Sequence, residues 1–318
     1  MFEQILIVAA NEIRVLMREK TFLLLLSVFL AMTLFSVLIG WSTKTTVLGI
    51  YNASLILLKQ SGVTHLPSNP FIMIPALALF RNMIIYVFLI GALTSVVIGH
   101  SSFIRERKSR VVQLLFTKPI SKTCFIAGKI VGILAALLLI IFAVFFISLL
   151  SSFFIPGQLL TQQEIIRLSL FYLLSLIYML IFAMIGLLFA IVLPTESLAL
   201  LAPIIIWVAV TFIFPELTTG QNPVALLNPT NITQTAPQGA FFTLMHSVLT
   251  PFSIEQHYTG LAQPLLETQK QFTSLSIAEI IAQNSGLGIS LFVYLILAIA
   301  LSLYTFYHYA VTRDKMYE

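Results

Sequence analysis

The fold is decided by Phe22–Gly40, a stretch that reads FLLLLSVFLAMTLFSVLIG and carries no charged side chain. Thirteen residues between Phe22 and Ile39 are Leu, Ile, Val or Phe, and at about −0.3 to −0.6 kcal/mol each they favour membrane insertion by roughly 4 to 8 kcal/mol. A helix needs about 20 apolar residues to cross a bilayer core. This stretch therefore predicts a transmembrane helix that inserts without help from its neighbours.

Apolar runs of similar length recur along the chain. We predict six spans, at Phe22–Gly40, Asn82–Gly99, Cys124–Phe154, Ile165–Leu193, Ser197–Phe214 and Leu287–Val311. Of the 318 residues, 59% are hydrophobic and 9% are charged, whereas soluble domains have about 45–50% and about 25%. The single cysteine, Cys124, excludes an intramolecular disulfide and a cysteine-based metal cluster. The sequence predicts an all-α polytopic membrane protein with a single transmembrane domain over residues 1–318.

The distribution of Lys and Arg predicts the orientation. With six spans, both termini lie on one side; the segments on that side contain 12 Lys or Arg residues, and the opposite segments contain five. The positive-inside rule therefore places both termini in the cytoplasm and the protein in the cell membrane. Because the basic residues are divided among segments that flank spans, we do not expect a nucleic-acid partner.

Residues 1–20 have the pattern of an amphipathic helix. Apolar residues recur at helical spacing at Phe2, Ile5, Leu6, Ala9, Ile13, Leu16 and Met17. The other side has Glu3, Gln4, Asn11, Glu12, Arg14, Arg18 and Glu19. We expect an interfacial helix that lies on the inner face of the membrane and turns this polar side, including Glu12, away from it.

Residues 215–286, between the fifth and sixth spans, are rich in proline, which favours an external cap of short helices. Ser276 and Glu279 have the spacing of a capping box and predict a helix that leads toward the last span. Residues 284–286 predict an interruption of that helix. His246, Glu255 and His257 match no metal-site spacing, and we expect them to be ordinary polar loop residues.

The basic segment 101–122, between the second and third spans, gives the strongest functional signal. Within it, Arg105–Phe116 suits an amphipathic helix that ends at Pro119. Its apolar face would include Leu115, and Arg107, Lys108 and Arg110 would lie largely opposite. Such a helix can lie on the bundle and present its polar side to a soluble partner. The alternative is a basic loop that merely follows the positive-inside rule.

This segment resembles the type-2 ATP-binding cassette (ABC-2 type) exporter permeases. The similarity is carried by Glu106, Leu114, Leu115, Pro119, Ile120, Ser121 and Lys122, and then by Gly128 and Lys129. It extends to Glu12, Arg14 and Arg18 before the first span, and to Trp207 and Pro215 at the fifth. The chain departs from the family pattern at Ser109, where many members have glycine.

The resemblance implies that segment 101–122 is a coupling helix for a separate cytosolic ABC ATPase. The expected coupling residues are Arg105, Glu106, Arg107, Lys108, Arg110, Leu114, Leu115 and Pro119. Glu196, between the fourth and fifth spans, is either a second contact with the ATPase or a solvated turn acid. The resemblance also implies a second permease chain, identical or similar to this one.

The chain lacks the phosphate-binding motif G-x-x-x-x-G-K-[ST]. We therefore expect no enzymatic activity and no cofactor bound by this chain; ATP and Mg²⁺ would act through the ATPase. The predicted function is a permease subunit for export or mechanotransmission. The alternative is a motor-independent secondary transporter or channel, which normally has ionisable residues within its spans. The central parts of the six predicted spans contain none.

Overall fold

The computed structural model describes residues 2–62, 75–108, 121–154, 159–219, 239–268 and 275–314. Helices account for 91% of these residues, and no strand occurs among them, which confirms the all-α prediction. The α-helices are α1 (Phe2–Leu16), α2 (Lys20–Gln60), α3 (Asn82–Tyr86), α4 (Ala92–Lys108), α5 (Lys122–Phe154), α6 (Gln162–Val192), α7 (Glu196–Val208), α8 (Phe214–Thr219), α9 (Ala240–Leu249), α10 (Ile254–Leu265), α11 (Ile277–Gln283) and α12 (Ser285–Asp314).

Six helical stretches in this described part of the chain are long and apolar enough to cross a membrane, as predicted. They are Lys20–Gln60, Ala76–Arg107, Lys122–Phe153, Gln162–Val192, Glu196–Thr218 and Ser285–Tyr309. The second stretch joins the 3-10 turn Ala76–Phe80, α3, the π-helical segment Val87–Gly91 and α4; the fifth joins α7, the π-helical segment Ala209–Ile213 and α8.

Helix α2 is longer than the predicted first span. We predicted an end at Gly40, but the helix continues to Gln60. At about 1.5 Å per residue its 41 residues extend roughly 60 Å, about twice the thickness of a bilayer core. The extension has no proline, and some of its hydroxyls donate to carbonyls one turn earlier in the helix: Thr43 to Ile39 at 2.8 Å, and Ser54 to Ile50 at 2.9 Å. Nothing local therefore ends the helix at Gly40.

The core of the bundle lies between α4 and α6. In the most apolar 18-residue window of α6, 72% of the residues are buried, against 17% in the corresponding window of α12. A Cβ atom at Gly99 would lie 1.8 Å from the Ala183 carbonyl oxygen, and one at Gly186 would lie 2.4 Å from the Val96 carbonyl oxygen. The backbones of the second and fourth spans are therefore in direct contact, and glycine is required on both sides.

Helix α10 is not an exposed part of a cap. It packs along α6, where the Tyr258 and Ser175 hydroxyls are 3.0 Å apart. Further along, Glu267 forms an ion pair with Arg167 at 2.6 Å. Because residue numbers rise along α10 as they fall along α6, the two helices are antiparallel. The prediction that Glu255 and His257 are ordinary loop residues is wrong: both side chains are buried, since α10 turns them into the bundle.

The predicted helix before the last span is confirmed. The Ser276 hydroxyl accepts from the Glu279 backbone amide, and the Glu279 carboxylate accepts from the Ser276 amide, which completes a capping box at the start of α11. The helix ends at Gln283, and α12 begins at Ser285 after a turn at Asn284. The interruption predicted for residues 284–286 is therefore present.

Candidate functional site

The predicted coupling residues fall into two groups. Arg105, Glu106 and Arg107 lie on the last turn of α4, and Lys108 is its final residue. Arg110, Leu114, Leu115 and Pro119 lie outside the described residues. We predicted a separate helix beginning at residue 101, but residues 101–108 continue the helix of the second span without a break. The first three coupling residues are therefore held rigidly by a span.

Helix α1 lies directly against α5, because two glycines of α5 leave room for it. A Cβ atom at Gly128 would lie 2.6 Å from the Val8 Cβ atom. One at Gly132 would lie 2.6 Å from the Glu12 Cβ atom. The four-residue spacing places both glycines on one face of α5, and α1 approaches that face closely. This contact determines where the Glu12 side chain lies.

Glu12 lies in a buried ionic network. Its carboxylate is paired with Lys129 of α5 and with Arg105 of α4, and it is 1% exposed. The Lys129 ammonium group, 2% exposed, also pairs with Glu106 and donates to the Ser102 carbonyl at 2.9 Å. The prediction that Glu12 belongs to the water-facing side of the first helix is therefore wrong, because α1 turns this side chain toward α4 and α5.

The network continues to the end of the N-terminal segment. Arg105 pairs with Glu19 at 2.6 Å, just before α2 begins at Lys20. Its charged members, Glu12, Glu19, Arg105, Glu106 and Lys129, come from three separate parts of the chain. They connect α1, the entry to the first span, the end of the second span and the start of the third. A displacement of the α4 end would therefore act on all of these elements.

Arg107 makes a different contact. Its guanidinium group donates to the carbonyls of Ala190, at 3.1 Å, and Leu193, at 2.5 Å, and also to that of Pro194. These carbonyls end α6, where unpaired acceptors and the helix dipole favour a cation. Glu196, the other predicted contact residue, is exposed and begins α7 two residues after Pro194. The end of α4 is therefore attached to the turn between the fourth and fifth spans.

The sequence alone already singles out Lys129 as a residue that needs a partner. Lys129 follows seven residues after Lys122 in a helix that then has no further charge up to Phe154. A lysine in such an apolar helix requires a partner. The sequence contains no such indication for Glu12. It lies among the polar residues of the first helix, so helical spacing predicted that its side chain points away from the membrane and into water. Neither residue could be paired with the other before the tertiary contact between α1 and α5 was known.

Within the described ranges, no group of three or more His, Cys, Asp or Glu residues is placed to hold a metal ion. The His257 Nδ1 atom lies 2.7 Å from the Ser253 carbonyl oxygen, and its ring contacts Tyr294 edge-on. His257 is therefore a packed and hydrogen-bonded residue of α10.

The sequence also matches a known family. Comparison with curated proteins gives no significant match. Residues 6–309 match the sequence profile described as "ABC-2 family transporter protein". The match covers nearly the whole chain, from α1 to the last turns of α12, and it agrees with the six membrane-spanning helices. The chain therefore belongs to the ABC-2 transporter family and is a multi-pass membrane permease of that family.

Proposed function

We propose that this chain is the permease subunit of an ABC transporter and that a separate cytosolic ATPase drives it. In this proposal the ATPase binds ATP and Mg²⁺, and the permease carries out no chemistry. A second permease chain, identical or similar, completes the membrane pathway. Both termini face the cytoplasm, and the work is either export or movement transmitted to an external protein. Family membership and the absence of a phosphate-binding motif support this division of labour.

The observation that carries the proposal is the buried network around Lys129. It connects the end of α4 to the start of α5, and residues 109–120 join these two helix ends in the sequence. In the proposal, Arg110, Leu114, Leu115 and Pro119 belong to the surface that binds the ATPase. Force applied there reaches both helix ends that the network holds together.

The contacts at the end of α4 determine which helices would move together under that force. Glu12 and Arg105 attach α1 to the end of α4, and Arg107 attaches the same helix end to the turn after α6. When the ATPase closes on ATP, we expect these elements to move as one body between an inward-open and an outward-open arrangement. The two arrangements must differ in their contacts with the nucleotide-bound ATPase, because otherwise ATP would not shift the equilibrium.

Leu115→Asp tests the proposed docking surface. We expect the variant to lose its cytosolic ATPase on gentle detergent extraction and to lose stimulation of ATP hydrolysis. Leu115 is a better target than Arg107, because Arg107 also holds the carbonyls at the end of α6. The matched control is Leu57→Asp at the far end of α2, where the side chain is 66% exposed.

Two outcomes would count against the proposal. One is a Leu115→Asp protein that retains the ATPase and stimulates hydrolysis as fully as the Leu57→Asp control. The other is an unaltered protein that co-purifies with no P-loop ATPase and transports with an ion gradient alone. The second outcome would favour the motor-independent transporter instead.

A further inference from the structure

Helix α10 lies inside the bundle, toward the end where the fourth span begins. Its Tyr258 hydroxyl is 3.0 Å from the Ser175 hydroxyl of α6. It also contacts α12 and the π-helical segment Ala209–Ile213 of the fifth span. Most of its residues, from Ile254 to Leu265, are buried by these neighbours. Helix α10 therefore fills a space between the fourth, fifth and sixth spans.

A single arginine fastens the end of this helix. Arg167 of α6 is 6% exposed, and its guanidinium group pairs with the Glu267 carboxylate at 2.6 Å. The same group donates to the Leu275 carbonyl. Glu267 follows the end of α10, and Leu275 comes shortly before α11, which leads to the last span. Arg167 therefore holds both α10 and the approach to the sixth span against the fourth span.

Glu267 has a backbone conformation that favours glycine. Its φ angle is +50°. Its amide donates to the Pro264 carbonyl at 3.3 Å, and the Thr268 amide donates to the Gln263 carbonyl at 3.2 Å. These are the two hydrogen bonds of a Schellman motif, in which the left-handed residue is usually glycine because a Cβ atom disfavours this conformation. Glu267 is therefore locally strained, and the group that it supplies and glycine lacks is the carboxylate that meets Arg167.

The ion pair is close but incompletely hydrogen-bonded. The Arg167 Nη1 atom is 2.6 Å from the Glu267 carboxylate, yet it has hydrogen-bond geometry with no group in the described part of the chain. Burial raises the pKa of Glu267; Arg167 opposes the rise, and the nearby Glu164 carboxylate adds to it. A buried ion pair recovers its desolvation cost only with good hydrogen-bond geometry. This pair therefore suits a contact that opens and closes better than a permanent clamp.

We propose that Arg167 and Glu267 form a latch that holds α10 closed against the fourth span. While the latch is closed, α10 fills the space between the spans. When it opens, the C-terminal end of α10 moves away from α6 and exposes this space to water. That the space is the external end of a transport pathway rests on the proposed function. The latch itself is tested on the permease without ATP, so a failure of ATPase coupling would leave the test unaffected.

Two cysteines report separately on α10 and on the rest of the bundle. Gln263 is 8% exposed on the last turn of α10, so Gln263→Cys should react slowly with a maleimide while the latch is closed. Cys124 of α5, the single native cysteine, is also buried and reports on general unfolding. The full chain is labelled with a water-soluble maleimide in lipid nanodiscs, where both membrane faces are accessible. Mass spectrometry of proteolytic fragments measures the two labelling rates.

Variants of Glu267 separate the ion pair from the backbone strain. Glu267→Gln removes the charge and retains the strain, whereas Glu267→Gly removes both. In the Gln263→Cys background, we expect both variants to label Gln263→Cys about tenfold faster, because labelling follows the population of the open form. The labelling rate of Cys124 should not change. Glu279→Gln is the matched control, because Glu279 is exposed on α11 and glutamine also completes a capping box.

Variants of Arg167 test the other side of the latch. Arg167→Gln should label Gln263→Cys as fast as Glu267→Gln does. Arg167→Lys retains the positive charge and should stay closer to the slow rate of the unaltered latch. The unfolding temperature of each variant shows that it is folded.

Three results would overturn the proposal. One is a folded Glu267→Gln or Arg167→Gln protein that labels Gln263→Cys no faster than the Glu279→Gln control. Another is Glu267→Gly labelling as slowly as the unaltered latch, because the carboxylate would then not be needed to hold α10. The third is an equal rise in the labelling of Cys124, which would show that the ion pair holds the whole bundle together rather than α10 alone.

Discussion

Lys129 carries its charge into a helix that is otherwise apolar, and its neighbours determine what this costs. Two carboxylates, from Glu12 and Glu106, and the Ser102 carbonyl surround its ammonium group. Removing a buried charge from water is costly, and the cost is recovered only when partners satisfy the ion closely. We therefore expect the network to contribute more to the specificity of the contact between α1, α4 and α5 than to the net stability of the protein.

Replacement of Lys129 tests this contribution. Lys129→Met should destabilise the protein by about 3 kcal/mol, because it leaves the buried Glu12 carboxylate and the partly buried Glu106 carboxylate beside an apolar side chain. The measurement is the free energy of unfolding in detergent. Lys59→Met, at an exposed position near the end of α2, should change it by less than about 0.5 kcal/mol. Equal effects of the two changes would show that the buried ion pairs do not hold the helices together.

The raised pKa of Glu255 leads us to expect an unusual dependence of stability on pH. The folded protein binds a proton at Glu255 with a pKa of about 8, whereas the ordinary value is 4.5. Between these values the folded state holds a proton that the unfolded state has lost, so stability falls as pH rises through this window. Thermal unfolding across the window should show the decline, and Glu255→Gln should remove it. A variant that retains the full decline would assign it to another group.

At the scale of elements, glycine decides how closely the second and fourth spans approach. Gly99→Ala places a Cβ atom 1.8 Å from the Ala183 carbonyl oxygen, which forces α4 and α6 apart. We expect a loss of about 1 to 3 kcal/mol, as for other overpacked cores. Gly49→Ala in α2 is the control, because no atom lies within 4 Å of its added Cβ. That change should be neutral or stabilise by up to about 1 kcal/mol.

Unfolding temperatures of the two glycine variants measure this difference. If Gly99→Ala were as stable as Gly49→Ala, the close contact between the spans would not be needed. The same reasoning applies to α5, where Gly128 and Gly132 admit α1. In both pairs, small residues allow the backbones to approach, as is common where helices meet in membranes.

At the scale of the whole molecule, the distribution of basic residues predicts one orientation in the membrane. In a Cys124→Ala background, Lys108→Cys should resist a membrane-impermeant maleimide in intact cells and react after the membrane is opened. Leu57→Cys should react in intact cells, since it lies at the opposite end of the first span helix. Labelling of Lys108→Cys from outside would overturn the orientation and, with it, the cytosolic position of the coupling residues.

Local sequence determined much of the architecture. Long uncharged runs such as Phe22–Gly40 predicted the six spans, because insertion depends on the composition of each segment alone. Ser276 and Glu279 predicted the start of α11, because a capping box needs only residues three apart. Thr161 and Glu164 form the same motif at the start of α6, and the sequence signal was equally present there. Such features require no knowledge of distant residues.

Contacts between distant segments were decided only by the tertiary structure. Glu12 and Lys129 are 117 positions apart, and helical spacing placed Glu12 on the wrong face. No local pattern predicted the burial of Glu255, because this burial depends on α10 lying antiparallel to α6. The sequence by itself determined the class of protein, its spans and its family resemblance. The tertiary structure decided which charges are buried together, because the pairing of helix faces depends on close packing between residues far apart in the chain.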